Sequence, residues 1–110
     1  MTDYKIMIVD DEPDILDLLE KALNIEGYYN IIKINNGFTA VDVCKKTQPD
    51  VIVLDVMLPD ISGYEVCKQI RAFSHCPILF LSSKNDELDK ILGAGAERVG
   101  AGVRRAGGRL

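Results

Sequence analysis

Residues 51–63 read Val51-Ile52-Val53-Leu54-Asp55-Val56-Met57-Leu58-Pro59-Asp60-Ile61-Ser62-Gly63. The first four are uninterrupted, mostly β-branched and apolar, the pattern of a strand covered on both faces in a parallel sheet. The run stops on Asp55, and the Pro, Asp, Ser and Gly beyond it are loop formers. A buried strand that delivers a carboxylate to a loop is the unit from which the rest of the chain can be ordered.

Working outward, residues 4–9 (YKIMIV) are a second such run, ending on Asp10-Asp11-Glu12. Pro13 and Asp14 supply helix-start chemistry, Ile15 to Ile25 carry apolar residues at helical spacing, and Gly27 stops the helix. Residues 31–34 (IIKI) read as a strand closed by the Asn35-Asn36-Gly37 turn. A helix from Phe38 to about Thr47 follows, ahead of Pro49. After Gly63 a third helix over 63–73 carries Val66, Cys67, Ile70 and Phe73. Ile78–Leu81 is a fourth strand, and Asp86–Leu92 suits a short fourth helix. Alternation of this kind implies an α/β fold: a doubly wound, open parallel sheet with right-handed crossovers and helices on both faces. In such sheets the functional crevice lies beyond the carboxyl ends of the strands.

The composition fits one domain. The 110 residues are 47% hydrophobic and 27% charged, too apolar for disorder and long enough for a core without staples. No apolar run approaches the ~20 residues of a membrane span, and the first residues do not resemble a secretory leader, so the expectation is cytoplasmic. Three cysteines, Cys44, Cys67 and Cys76, lack CxxC spacing, suit a reducing compartment and read as small packing residues. A net charge of −4 argues against general nucleic-acid binding. That average hides a seam. Residues 1–92 hold nine bases against sixteen acids, whereas residues 93–110 hold four arginines, one acid and six of the nine glycines. The tail has no apolar period of 3.6 or 2.

The strand ends carry the chemistry. If the strands are neighbours, Asp10, Asp11 and Asp55 gather at one edge, where close carboxylates repel one another. A divalent cation relieves that repulsion, and an oxygen set of this size suits Mg²⁺. A carboxylate beside such a metal can attack phosphorus to form an aspartyl-phosphate. Ser82, directly after the fourth strand, would then offer its hydroxyl to a phosphoryl oxygen. Ser83 and Lys84 read either as a helix cap and a solvated charge or, for Lys84, as a neighbour of the same crevice. His75 has no second histidine nearby and is set aside.

Three strings, IMIVDDEPDI, DVIVLDVMLPDISGYEVCKQIR and CPILFLSSKNDELDKILG, occur in an order and spacing that resemble the receiver domain of bacterial two-component response regulators. The most similar branch is the one that adds a winged-helix DNA-binding domain. The resemblance covers residues 3–93. It implies a flavodoxin-like sheet of strand order 2-1-3-4-5 and phosphorylation of Asp55 by a sensor histidine kinase. It also implies Mg²⁺ held by Asp10, Asp11, Asp55 and the backbone carbonyl of Met57, with Ser82 as the switch hydroxyl. Pro59 and Gly63 match the bend after the third strand. DNA would be reached only through an effector domain outside this chain. Such a domain is a switch and not a turnover enzyme. A metal-dependent phosphatase would place a second acid two residues after its nucleophile, where Met57 stands.

The chain departs from that pattern after residue 93. Receivers continue into a Gly-Ala-Asp-Asp-Tyr-like segment, a fifth strand ending in Lys-Pro-Phe, and a fifth helix. Here the sequence reads GAGAERVGAGVRRAGGRL. The aromatic position falls on Val99 and the lysine position on Gly102. Residues 94–110 are therefore read as an atypical tail in place of the fifth strand and helix, of the kind a shift of reading frame produces. Two expectations follow: a fourth strand with an uncovered edge, inclined to dimerisation or strand exchange, and, as the competing function, a receiver-fold binding module with impaired phosphotransfer.

Overall fold

The computed structural model describes residues 3–81 and the backbone of residues 103–106. Its elements run β1 (Ile6–Val9), α1 (Pro13–Ile25), β2 (Ile31–Ile34), α2 (Gly37–Thr47), β3 (Val51–Asp55), α3 (Gly63–Ile70), β4 (Ile78–Leu81) and β5 (Val103–Ala106). They form one five-stranded sheet in the order β2-β1-β3-β4-β5. The first four strands are parallel, as the alternation of strands and helices requires.

Side chains alternate across the sheet and divide the core into two layers. Met7, Val9, Ile52, Leu54, Ile78 and Phe80 pack with Ala40 and Cys44 of α2 and Val66, Cys67 and Ile70 of α3. On the opposite face, Ile6, Ile8, Val51 and Val53 meet Leu16, Leu19 and Leu23 of α1. Each helix starts and stops for a local reason. Pro13 opens α1, where its missing N–H is no loss, and Gly27 at φ +97° turns the chain out of it. Asn36 caps α2 by accepting the Thr39 N–H at 2.9 Å, and Ser62 caps α3 by accepting that of Glu65 at 3.1 Å.

Two expectations change, and a third is not reached. The third helix ends at Ile70 and not at Phe73: the N–H groups of Phe73 and Ser74 both turn onto the Ile70 carbonyl, at 3.0 and 2.9 Å. The fourth helix expected over 86–92 lies outside the described residues. The uncovered β4 edge is corrected. Val103–Ala106 adds to β4 in the antiparallel sense, with Val103 opposite Leu81 and Ala106 opposite Ile78. Backbone pairing needs no apolar period, and an open edge presents a row of N–H and C=O groups to any extended segment that reaches it. The chain thus enters β5 beside the end of β4 from which it left.

Candidate functional site

Register brings the acids together. Val9 of β1 stands opposite Leu54 of β3, so the next residues, Asp10 and Asp55, emerge side by side at the carboxyl edge. Asp55, the last residue of β3, lies opposite Leu81 of β4. Both Asp10 and Asp55 are 1% exposed, among the few polar residues in the core. Asp11 is exposed at the start of the following turn. One carboxylate oxygen from each of Asp10, Asp11 and Asp55 falls within a group 4.8 Å across.

The backbone fixes the two buried carboxylates. Asp10 Oδ1 accepts the Glu12 N–H at 2.9 Å, a local turn that also leads into α1. Asp55 Oδ1 accepts the Met57 N–H at 3.1 Å. Met57 is therefore brought to the site through its N–H, while its side chain stands in solvent at 51% exposure. Beneath Asp55, the Gly63 N–H closes on the Val56 carbonyl at 2.8 Å. A Cβ on Gly63 would lie 2.3 Å from the Asp55 carbonyl oxygen and 2.8 Å from Val56 Cα. Only glycine lets α3 start this close to the strand end.

Three charges at such spacing repel by about 3 kcal/mol per pair at an effective dielectric near 20. The donors are hard oxygens with no nitrogen or sulfur among them, which suits a cation such as Mg²⁺ that keeps water and phosphate oxygens in its remaining positions. The residues present fit such an ion. Ser82, Ser83 and Lys84 lie outside the described residues.

One residue of this loop carries a role that its sequence does not announce. Asp60 accepts the N–H groups of Gly37 and Phe38, each at 2.8 Å, and so clamps the β3–α3 loop to the start of α2. What desolvation the exposed Asp60 carboxyl suffers would raise its pKa, but the Phe38 and Gly37 N–H groups, with those of Ile61 and Asp60 itself, outweigh it and hold the carboxyl below its usual value. An Asp after Pro59 signals a turn, and nothing local points to a partner more than twenty residues upstream. At the other end of the strands, an apolar cleft of about 320 Å³ is lined by Tyr4, Ile6, Tyr28, Asp50 and Val51, away from the acids. Tyr28 stacks there on Tyr4, with ring centroids 6.2 Å apart, rather than on its neighbour Tyr29.

Residues 6–99 match the family described as the response regulator receiver domain. The chain belongs to that family. It is 42% identical over 93 residues to the transcriptional regulatory protein YvrH of Bacillus subtilis (strain 168), a match covering 84% of this chain and 39% of that protein. The receiver thus spans about two fifths of the length of that relative. Among solved structures, it is similar to the BeF3-activated N-terminal receiver domain of Klebsiella pneumoniae RstA. That pair is 30% identical with a TM-score of 0.71, over 80% of this chain and 74% of the other. It is also similar to a chain in the complex of histidine kinase ThkA with response regulator TrrA, at 36% identity and a TM-score of 0.69, covering 76% and 72%. The fold is the flavodoxin-like one of CheY-like receivers. The protein is a receiver domain of a two-component response regulator.

Proposed function

We propose that Asp55 is the phosphoacceptor of this receiver and that Asp10, Asp11 and Asp55 hold Mg²⁺ beside it, with the Met57 carbonyl completing the protein ligands. The observation that carries this reading is the convergence of the three carboxylates within 4.8 Å at the carboxyl edge of a parallel sheet. A bound Mg²⁺ would neutralise charge that builds on the phosphoryl oxygens. The protein's own contribution is orientation: the Met57 N–H holds Asp55 Oδ1, and the turn at Glu12 holds Asp10. An Asp55 oxygen attacks the phosphorus of a kinase phosphohistidine, the P–N bond breaks, and the imidazole nitrogen leaves with its electron pair. Ser82 then offers its hydroxyl to the phosphoryl group. The added charge biases the loops at the strand ends, so the domain acts as a switch and not as a turnover enzyme.

The partners in this reading are a sensor histidine kinase and, through an effector domain outside these residues, DNA. The name of the Bacillus subtilis relative and the kinase in the ThkA complex support both. A cytoplasmic location goes with them; among the described residues no helix is long and apolar enough to cross a membrane. Incubation with Mg²⁺ and acetyl phosphate, followed by intact mass, tests the reading. One added phosphate is expected, absent in Asp55→Asn. No addition would favour the second reading, a receiver-fold binding module with impaired phosphotransfer. The antiparallel β5 and the Gly at position 102 support that alternative.

A further inference from the structure

The loop between β3 and α3 is tied down at its ends and at one point between them. At the ends, Asp55 Oδ1 holds the Met57 N–H, and the Gly63 N–H closes the loop onto the Val56 carbonyl. Leu58 and Ile61 lean, half-buried, on the core. Asp60 stands between those two and is exposed, yet both of its carboxylate oxygens are used. Oδ1 accepts the Gly37 N–H and Oδ2 that of Phe38, each at 2.8 Å. These are the first two N–H groups of α2, which have no acceptor inside their own helix. The third, from Thr39, goes to the Asn36 side chain at 2.9 Å.

A displacement of Asp60 is passed on towards Met57 rather than absorbed. Only Leu58 and Pro59 separate them. The Pro59 ring fixes its own φ and biases Leu58 to extended conformations, which leaves few soft dihedrals in between. Asp55 fixes the N–H side of Met57, so the carbonyl side of the same residue takes its position from the segment running to Asp60. The α2 side of the contact has no slack either. A Cβ on Gly37 would lie 2.6 Å from Ile61 Cγ1 and 3.2 Å from Asp60 Oδ1.

We propose that Asp60 is a positioning residue for the cation site: by tying this loop to α2 it holds the Met57 carbonyl in place, so that Mg²⁺ binding at the acids and closure of the Asp60 clamp strengthen each other. The proposal rests on the reading of Asp10, Asp11 and Asp55 as a Mg²⁺ site. Asp60 is outside that group of three, and its oxygens are taken by α2, so it acts through the main chain and not as a ligand. The coupling is reciprocal. Whatever factor the closed clamp adds to the affinity for Mg²⁺, bound Mg²⁺ adds to the stability of the clamp. A change at the acids therefore reaches the first turn of α2 through residues 57–60.

Two measurements on the full chain test this, and neither depends on phosphorylation. Calorimetric titration with Mg²⁺ should give Asp60→Ala a dissociation constant about fivefold or more above that of the wild type, the lower end of common couplings between sites. Asp60→Asn, which keeps an acceptor oxygen but no charge, should fall between the two. Ala22→Gly weakens the exposed side of α1 to a similar degree and should bind Mg²⁺ as the wild type does. In amide hydrogen exchange, Mg²⁺ should slow the wild-type Gly37 and Phe38 amides several-fold, and more than that of Thr39, which Asn36 holds. That slowing should be lost in Asp60→Ala. Four results would each overturn the proposal: an Asp60→Ala affinity equal to the wild type, an equal loss in Ala22→Gly, wild-type Gly37 and Phe38 amides indifferent to Mg²⁺, or an Asp60→Asn affinity as weak as Asp60→Ala, which would assign the effect to charge. A wild type that takes up no Mg²⁺ would overturn the metal reading itself, and the proposal with it. The wild-type exchange measurement decides without relying on any variant's folding.

Discussion

Asp60 and Gly37 meet across two loops: the Asp60 carboxylate accepts the Gly37 N–H at 2.8 Å and that of Phe38 at the same distance. The first N–H groups of a helix have no partner within it. Here a residue of the loop that carries Asp55 supplies that partner, so the loop's position and the start of α2 depend on each other. Gly37 is also packed tightly, since a Cβ there would lie 2.6 Å from Ile61 Cγ1.

Asp60→Ala should therefore lower stability by about 1 kcal/mol, the usual effect of losing a helix cap. A lower urea midpoint at unchanged slope would show it. The pH dependence has a definite sign. The carboxyl is lowered in the folded state, so its contribution is present above the ordinary carboxylate range and is lost as pH falls through the folded value. The difference between wild type and Asp60→Asn at neutral pH should narrow in acid.

Gly63→Ala and Gly37→Ala should rank in that order of damage. At Gly63 the new Cβ meets main chain at Asp55 and Val56, which cannot move aside. At Gly37 the nearest atoms are Ile61 Cγ1 and Val66 Cγ2, which belong to side chains and not to the main chain. A loss of about 3 kcal/mol is expected at Gly63, the upper end of overpacking, and roughly 1 kcal/mol at Gly37. Paired denaturant titrations would check the ranking.

Charge removal at the acid cluster should have opposite effects with and without metal. In chelator, Asp11→Asn should gain about 1 kcal/mol, well under the pairwise repulsion because Asp11 is exposed, which is about 4 °C in Tm for a domain this size. With millimolar Mg²⁺ the wild type should rise in Tm by mass action and the variant should gain much less. Melts with EDTA and with MgCl₂ would separate the two terms.

Removal of residues 103–110 should uncover the β4 edge, which β5 otherwise pairs. We expect dimers or larger species in light scattering and a lower Tm than for the full chain. A truncated chain that stays monomeric would show that the edge is protected by other means.

Much of the fold can be read along the chain because its determinants are local. Ile6–Val9 and Val51–Leu54 are unbroken apolar runs, Pro13 and Gly27 bracket α1, and the acids directly follow strands. Strand adjacency then suffices to gather Asp10, Asp11 and Asp55. What escaped notice depends on contacts between distant residues. The Asp60 clamp and the direction of β5 each join segments whose meeting is set by helix packing and sheet register. The early end of α3 is a local contest: the Ile70 carbonyl takes two N–H groups in a tight turn that an apolar Phe73 does not reveal.

The floor beneath Asp55 is made almost wholly of main chain, from the Val56 carbonyl under Gly63 to the Met57 N–H on the carboxylate. Geometry there is therefore indifferent to which side chain occupies position 57, and that side chain stands half in solvent beside Asp55. Met57 can therefore be exchanged without moving the main chain that holds Asp55, which leaves the surface next to the acid cluster free to vary while the carboxylates stay where they are.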